Sequence, residues 1–504
     1  DPAYRRALRQ PVGLDLRRRE AKAMIYAAPR VARVAPAPTT YAAPPERVAW
    51  GPVMSGVIVL AWAASPVAGF RTSLLILTLV GFAAVIAGLR FPAIGLVGIA
   101  ILCVLDAPSR VYLLTGGLLR WNTLNYWLLV MMALYSPFLT RLRDPHNLAL
   151  MAFAALLAIE ILISPDFTNG AQNVLSVISA FGMLIYFVRA GYARRMWFWI
   201  SFNAGLVGAL GGLMFNMQRM SLPVINENAW AASPLSAMIA IVFGFPAAAE
   251  LRRGQSTLLA LAAVNLIWIF LSGSRGTLAI GALCFISLMI GMRGMRQRTI
   301  ALVAAAVVAL AVVSHFSKLQ ERTMQRITRL VSTDHGLAGA YSLGSRTSGR
   351  SDLAIGGWYI FQEHPLGVGT GGFPNAWSNF GRHYGLTYGR GQEKAAHSAW
   401  LKTLVENGIP GVVLLIIFIF SFATVALRQR SWVLWRLGML TSFVLAAAFI
   451  SSEFQTKGLW FLAAGAAAFL QRERVLAAMY GREPAPPERL GASRRWYSAR
   501  LEGS

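Results

Sequence analysis

Residues 397–410, HSAWLKTLVENGIP, combine an ionisable side chain with the pattern of a short helix. His397 precedes Leu401 by four residues and Leu404 by seven, so a helix starting at His397 would carry all three side chains on one face. The Asn-Gly-Ile-Pro sequence at 407–410 is typical of a helix end followed by the first turn of another helix. The pattern therefore predicts an imidazole at a helix N-terminus.

An imidazole in that position has the chemistry of a general base. The positive end of the helix dipole favours the neutral form of His397, and the neutral form is the one that accepts a proton. The alternative is a partly exposed histidine that only hydrogen-bonds a neighbour. Spacing alone leaves both interpretations open.

Two arginines lie where they could bind an anion near a membrane surface. Arg275 separates two apolar segments that are joined by almost no loop, and Arg219 lies in a connection ahead of Asn226 and Asn228. A guanidinium pairs with carboxylate or phosphate oxygens in two-point geometry, and an arginine at membrane depth is a functional candidate. The alternative is that both side chains extend along apolar surface to lipid headgroups.

The elements that must position these residues are membrane helices. Of 504 residues, 56% are hydrophobic and only 13% are charged, and the apolar residues form repeated segments of about 20 residues. We therefore expect an all-α polytopic integral membrane protein with about 14 transmembrane helices and a large periplasmic helical loop. The predicted spans are 51–69, 72–89, 91–105, 122–140, 146–163, 171–188, 196–214, 231–249, 256–273, 276–292, 298–314, 409–427, 431–451 and 456–471.

Arginines predict the orientation, because cytoplasmic loops are enriched in basic residues. Alternate connections carry them, which places both termini in the cytoplasm and residues 315–397 on the outer side. The net charge of +26 is thus first a topology signal, and we expect no nucleic-acid partner. The predicted organisation is a basic cytoplasmic extension (1–49), helices 1–11 (50–314), a periplasmic loop (315–397), a short interfacial helix with helices 12–14 (398–472), and a cytoplasmic tail (473–504). The extension either meets anionic lipids or stays solvated. We expect the final Leu-Glu-Gly-Ser of the tail to derive from an expression vector.

The outward loop carries five of the six histidines, but none has the spacing of a paired metal ligand. We therefore expect no metal and no other cofactor. Gly367, Gly369 and Gly372 formally match the spacing of a dinucleotide-binding motif. They follow His-Pro instead of a buried strand and face a compartment that normally lacks free nucleotides, so the glycines predict instead a tight, closely packed loop that walls a cavity.

A set of short motifs occurs in a characteristic order over residues 200–420. The set is Arg219 with Asn226-Glu227-Asn228-Ala229, Ser274-Arg275-Gly276, Ser348-Gly349-Arg350, Glu363-His364-Pro365-Leu366-Gly367-Val368-Gly369, and His397 with Glu406-Asn407-Gly408-Ile409-Pro410-Gly411. Together with the large loop between two late spans, this set resembles the O-antigen ligase and polymerase superfamily. One departure is Ser398, because the family often has Asn after the histidine.

The resemblance implies a function. Such enzymes of the bacterial inner membrane transfer a glycan from an undecaprenyl-pyrophosphate carrier to an acceptor hydroxyl at the periplasmic face, without a nucleotide sugar and, as far as the motifs imply, without a metal. The resemblance makes His397 the base and Arg219, Arg275 and Arg350 ligands of pyrophosphate or glycan. The supporting residues that it suggests are Glu363, Glu406 and Asn228.

Glu363 and Glu406 have two interpretations each: they orient the histidine or a glycan, or they act as a helix cap or ion-pair partner. The expected mechanism inverts the anomeric carbon.

The acceptor stays open at this stage. Span count and the N-terminal extension favour a polymerase of lipid-linked repeat units of a surface polysaccharide, and the alternative is an O-antigen ligase that transfers the glycan to lipid A core. Chain-length regulators and export proteins are possible partners besides the lipid-linked donor, the glycan or lipid-linked acceptor and membrane lipids. An alternative of another class is a lipid-linked oligosaccharide transporter or flippase. The chain lacks the internal repeat and midspan charges that favour one, and a scaffold role would leave the arginines and His397 without a common purpose.

Overall fold

Apolar runs in this chain form helices because a helix pairs its backbone polar groups within one segment. In a computed structural model of the chain, the described residues are 50–105, 123–139, 144–190, 194–219, 227–248, 254–272, 275–291, 350–383, 395–428, 432–451, 453–454 and 456–471. The described part is almost entirely helical and contains no strand, which agrees with the predicted all-α class. All of it belongs to the unit Val48–Ser504.

Sixteen α-helices occur among the described residues. They are α1 (Trp50–Ala63), α2 (Ser65–Ala68), α3 (Phe70–Ala87), α4 (Pro92–Leu105), α5 (Thr123–Leu139), α6 (Pro145–Glu160), α7 (Phe167–Ala190), α8 (Arg194–Arg219), α9 (Glu227–Ala248), α10 (Gly254–Ser272), α11 (Arg275–Gly291), α12 (Arg350–Glu363), α13 (Phe373–His383), α14 (Ala399–Leu427), α15 (Trp432–Ser451) and α16 (Lys457–Leu470).

Six helical segments of the described chain are long and apolar enough to cross a membrane. They are Trp50–Val67, Pro145–Ile163, Phe167–Ala190, Met196–Leu213, Gly254–Ser272 and Ala399–Leu427. Seven shorter apolar helices coincide with other predicted spans, and the predicted span 298–314 lies outside the described residues. The protein is therefore a multi-pass membrane protein by length and composition, whereas the count of 14 spans is not confirmed.

Helix α14 is central to the arrangement of the later helices. It packs along α6 and α15, while α7 packs against both α5 and α16. Large aromatic side chains fill the main core between these helices. Phe187 of α7 stacks on Trp197 of α8, with ring centroids 4.9 Å apart, and also contacts Phe461 of α16.

A second, smaller apolar core lies beside the first turns of α14. Helices α12 and α13 contact each other and α14. Leu353 and Ile360 of α12 pack with Phe373 and Trp377 of α13 and with Val405 of α14. Trp377 is almost fully buried, so it belongs to this core rather than to an exposed sugar-binding surface. The small core fixes the position of the segment that links α12 to α13.

The remaining predicted regions lie outside the described residues. They are the N-terminal extension 1–49, loop residues 315–349, and the tail 473–504. The domain boundaries predicted there stay predictions.

Candidate active site at the start of α14

Helix α14 contains a break where the sequence predicts one. Gly408 departs from helical geometry with φ 58° and ψ −152°, and Pro410 follows in the next turn. The N–H of Ile409 leaves the helical pattern and donates to the carbonyl of Pro365 at 3.2 Å. Pro410 has no N–H to give. Two carbonyl groups on the preceding turn therefore need donors from elsewhere.

The loop between α12 and α13 supplies those donors. The N–H of Val368 donates to the carbonyl of Val405 at 3.0 Å, and the N–H of Gly369 donates to the carbonyl of Glu406 at 2.9 Å. In an unbroken helix these carbonyls would accept from residues 409 and 410. The loop thus replaces the missing helical hydrogen bonds and is held against the break.

Glycines allow the loop to approach this closely. Gly367, Gly369 and Gly371 have φ of 97°, 94° and 91°, in the region that favours glycine. A Cβ on Gly367 would lie 2.2 Å from the carbonyl oxygen of Glu406. The prediction of a tight, closely packed loop is confirmed. The third residue of the predicted spacing, Gly372, does not have a positive φ; the third glycine with a positive φ is Gly371.

Glu406 caps helix α13. Its carboxylate is buried and accepts the N–H of Gly371 at 2.8 Å and the N–H of Phe373 at 3.2 Å. Phe373 is the first residue of α13, where the first backbone N–H groups have no partner within the helix. The sequence left two interpretations of Glu406 open. Its hydrogen bonds support the helix cap, and none of them involves the imidazole of His397.

A buried polar cluster ties α6 to the break in α14. The side-chain amide of Asn407 donates to Glu160 and, at 2.8 Å, to the hydroxyl of Thr370. Thr370 in turn lies 3.5 Å from the carboxylate of Glu160, the last residue of α6. All three residues are buried. Sequence reasoning missed this cluster, although a carboxylate at the end of an apolar helix is a signal that could have pointed to it.

His397 lies before the helix and not within it, which corrects the predicted helix face. Helix α14 begins at Ala399, and the hydroxyl of Ser398 is the N-cap that accepts the N–H of Leu401 at 3.3 Å. Serine competes effectively for the N-cap position, so the helix starts after it. His397 itself adopts φ 53° and has an exposed side chain.

A charged network holds the backbone of His397. Its N–H donates to Glu453 Oε1 at 3.0 Å, while Glu453 Oε2 lies 3.3 Å from Lys402 Nζ. Lys402 also donates to Asn173 Oδ1 of α7 at 3.1 Å. The Lys402 side chain is 4% exposed and that of Glu453 is 17% exposed. Sequence reasoning missed Glu453, Lys402 and Asn173; a lysine and a glutamate among apolar helices was the available signal.

The predicted anion ligands lie at helix ends. Arg219 is the last residue of α8 rather than part of a loop, and Arg275 and Arg350 are the first residues of α11 and α12. Asn228 lies in the first turn of α9. The side chains of these four residues lie outside the described part, so their predicted contacts stay predictions. Glu363 is the last residue of α12 and is exposed.

Helix α14 thus carries two separate features in the described residues. In front of its first residue lies the exposed His397, whose backbone N–H is held by Glu453, and at its break lies the glycine loop, which is held through Glu406. Among the residues that the structure describes, no three His, Cys, Asp or Glu side chains are grouped to hold a metal ion.

The fold and this site define a multi-pass helical membrane protein whose late helix α14 is broken where a glycine loop packs against it. Residues 257–416 match the model of a family described as O-antigen ligase. This match confirms the resemblance to the O-antigen ligase and polymerase superfamily, and the matched stretch includes Arg275, Arg350, His397 and Glu406. No curated protein matches the sequence at a significant level.

Proposed function

We propose that the protein is a glycosyltransferase of the O-antigen ligase and polymerase type. It transfers a glycan from an undecaprenyl-pyrophosphate carrier to an acceptor sugar hydroxyl at the periplasmic face of the bacterial inner membrane, with both termini in the cytoplasm. The observation that carries the proposal is the family match over 257–416, within which an exposed histidine stands at the start of a membrane helix.

In this proposal His397 is the general base. The carrier-linked sugar carries its own leaving group, so the enzyme needs a group that removes the proton of the attacking hydroxyl. The exposed side chain of His397 is accessible to an acceptor, and its backbone is fixed by Glu453. Attack opposite the pyrophosphate inverts the anomeric carbon.

Arginines are the proposed ligands of the pyrophosphate. Arg219, Arg275 and Arg350 each lie at a helix end, where an apolar helix meets a connection. Guanidinium groups there would stabilise the charge that develops on the departing pyrophosphate, which replaces the usual need for a divalent cation. Asn228 and Glu363 are proposed to assist in binding. The donor's lipid chain would lie along the apolar helices.

We favour a polymerase that joins lipid-linked repeat units, working with a chain-length regulator or export proteins. The alternative, a ligase that uses lipid A core, has the same donor chemistry and needs the same base and arginines. A transporter would need neither an exposed base nor an acceptor site. The three functions therefore differ in the product that they leave.

The test uses purified protein in lipid with an undecaprenyl-pyrophosphate-linked repeat unit, with or without lipid A core. A glycan ladder from the carrier alone supports the polymerase, and transfer only in the presence of lipid A core supports the ligase. Movement of intact donor across the bilayer without new linkages would refute both. Linkage analysis that finds a retained anomer would exclude the direct displacement.

Two variants and a matched control test the residue assignments. His397→Ala and Arg275→Ala are expected to lower transfer by about a hundredfold or more, since general bases and charge-stabilising donors typically contribute that much. The matched control is Arg428→Ala, because Arg428 is exposed and follows the last residue of α14, far along the helix from His397. Wild-type transfer by His397→Ala would show that His397 is not the base.

A further inference from the structure

His397 is the only described non-glycine residue with a positive φ. This backbone region is unfavourable for a non-glycine residue, and such residues persist only where the surroundings fix them. Strained residues of this kind are common at functional sites. The groups that hold His397 in place therefore bear on what its imidazole can do.

Two anchors hold His397, one on each side of the peptide chain. On the C-terminal side, Ser398 accepts the N–H of Leu401 and lies 3.4 Å from the carbonyl of Phe449 in α15. On the N-terminal side, the N–H of His397 itself donates to Glu453, which follows α15. The strained residue is thus fastened between α14 and the end of α15.

Glu453 is itself held rigidly. Its second carboxylate oxygen pairs with Lys402, and the lysine is fixed at its other side by Asn173. A carboxylate that is fixed by a charged partner offers an acceptor of defined geometry, and here it does so at an exposed backbone N–H. A chain of contacts from α7 through α14 therefore ends at the backbone N–H of His397.

We propose that Glu453 is a positioning residue for the transfer reaction. Its carboxylate acts on the backbone of His397 rather than on substrate, and it holds the imidazole in the orientation from which it can take the acceptor proton. The inference rests on the proposed role of His397 as the base. The contacts of Glu453 in the described residues, one oxygen on the N–H of His397 and the other on Lys402, are those of an anchor.

The test must separate positioning from the stability of the buried ion pair, because removal of one charge leaves the other buried without its partner. We therefore compare two double variants that both remove the lysine charge: Lys402→Met with Glu453→Gln, and Lys402→Met with Glu453→Met. Glutamine keeps an oxygen that accepts the N–H of His397, whereas methionine has a similar size and no strong acceptor. The two proteins differ in that acceptor.

We expect the glutamine variant to keep kcat within about threefold of wild type and the methionine variant to lose tenfold or more, because small misplacements of a catalytic group are costly. KM for the carrier-linked donor and equilibrium donor binding should be the same in both. Hydrogen exchange in a peptide spanning 395–399 should be faster in the methionine variant.

Equal kcat values for the two double variants, or equal exchange at 395–399, would overturn the inference. A parallel loss of donor binding in the methionine variant would also overturn it, since it would indicate general disruption. The proposed function fails in a different way. If His397→Ala transfers glycan as fast as wild type, His397 is not the base and the proposed function fails at this residue. If His397→Ala is inactive but the two double variants have equal kcat, only the positioning role of Glu453 is refuted.

Discussion

Replacement of Gly367 by alanine should unseat the loop that completes the break in α14. The new Cβ would lie 2.2 Å from the carbonyl oxygen of Glu406, while ordinary contacts begin near 3.4 Å, so the loop must move by about 1 Å. Such a shift breaks the hydrogen bonds from Val368 and Gly369, worth about 1 kcal/mol each, and the positive φ adds about 1–2 kcal/mol. The expected loss is about 3–4 kcal/mol.

The measurement is thermal unfolding in detergent at a fixed scan rate, together with glycan transfer in lipid. Two glycines provide matched controls. Gly69 has φ 82° and ψ 149°, and a Cβ at this position would have no neighbouring atom within 4 Å, so Gly69→Ala isolates the backbone strain of about 1–3 kcal/mol. Gly56 lies in helix α1 with open space around it, so Gly56→Ala should be neutral or slightly stabilising.

From the most to the least stable variant, the expected order is Gly56→Ala, Gly69→Ala and Gly367→Ala. Only Gly367→Ala should lose glycan transfer. A Gly367→Ala protein that matches Gly69→Ala in unfolding temperature would refute the reasoning, because contact with Glu406 would then carry no cost. Wild-type transfer by Gly367→Ala would show that the position of this loop is not required for activity.

Three further substitutions test the polar contacts around α14. Glu406→Ala should lower stability by about 2–5 kcal/mol, because the buried N–H groups of Gly371 and of Phe373, the first residue of α13, lose their acceptor, and protease cleavage within α13 should accelerate; unchanged cleavage would contradict the cap. Glu160→Ala should cost about 1–3 kcal/mol in thermal unfolding, since the buried amide of Asn407 loses one partner, and Met151→Ala at an exposed position of the same helix serves as the control. Ser398→Ala should cost about 1 kcal/mol through the lost N-cap, with Ser398→Thr close to wild type; an equal loss in both would argue against capping.

The helices could be predicted because their signal is local. Runs of apolar residues locate the segments, and Gly408 with Pro410 locates the break, since glycine and proline act on their own backbone. The number of spans could not be confirmed in the same way, because several of the apolar helices have fewer residues than a bilayer crossing needs. The sequence of the protein does not specify the thickness of the bilayer that its helices must cross.

The position of His397 could be predicted, but its conformation could not. The motif order drew attention to the residue, and helix periodicity placed it on a helical face with Leu401. Helix starts are uncertain by one or two residues from sequence, and here Ser398 takes the N-cap, so the histidine falls outside. A shift of two residues changed an expected helix-face residue into a strained residue in front of the helix.

The sequence by itself determined that this is a helical membrane protein, that it resembles the O-antigen ligase and polymerase superfamily, and which late helix is broken. Only the tertiary structure decided the partners. Glu453 meets Lys402 across 51 residues of chain, and Asn407 meets Glu160 across 247. Such contacts leave no periodic signal, because each arises when packed helices bring isolated polar groups together in an apolar interior, where a buried polar group must find a partner.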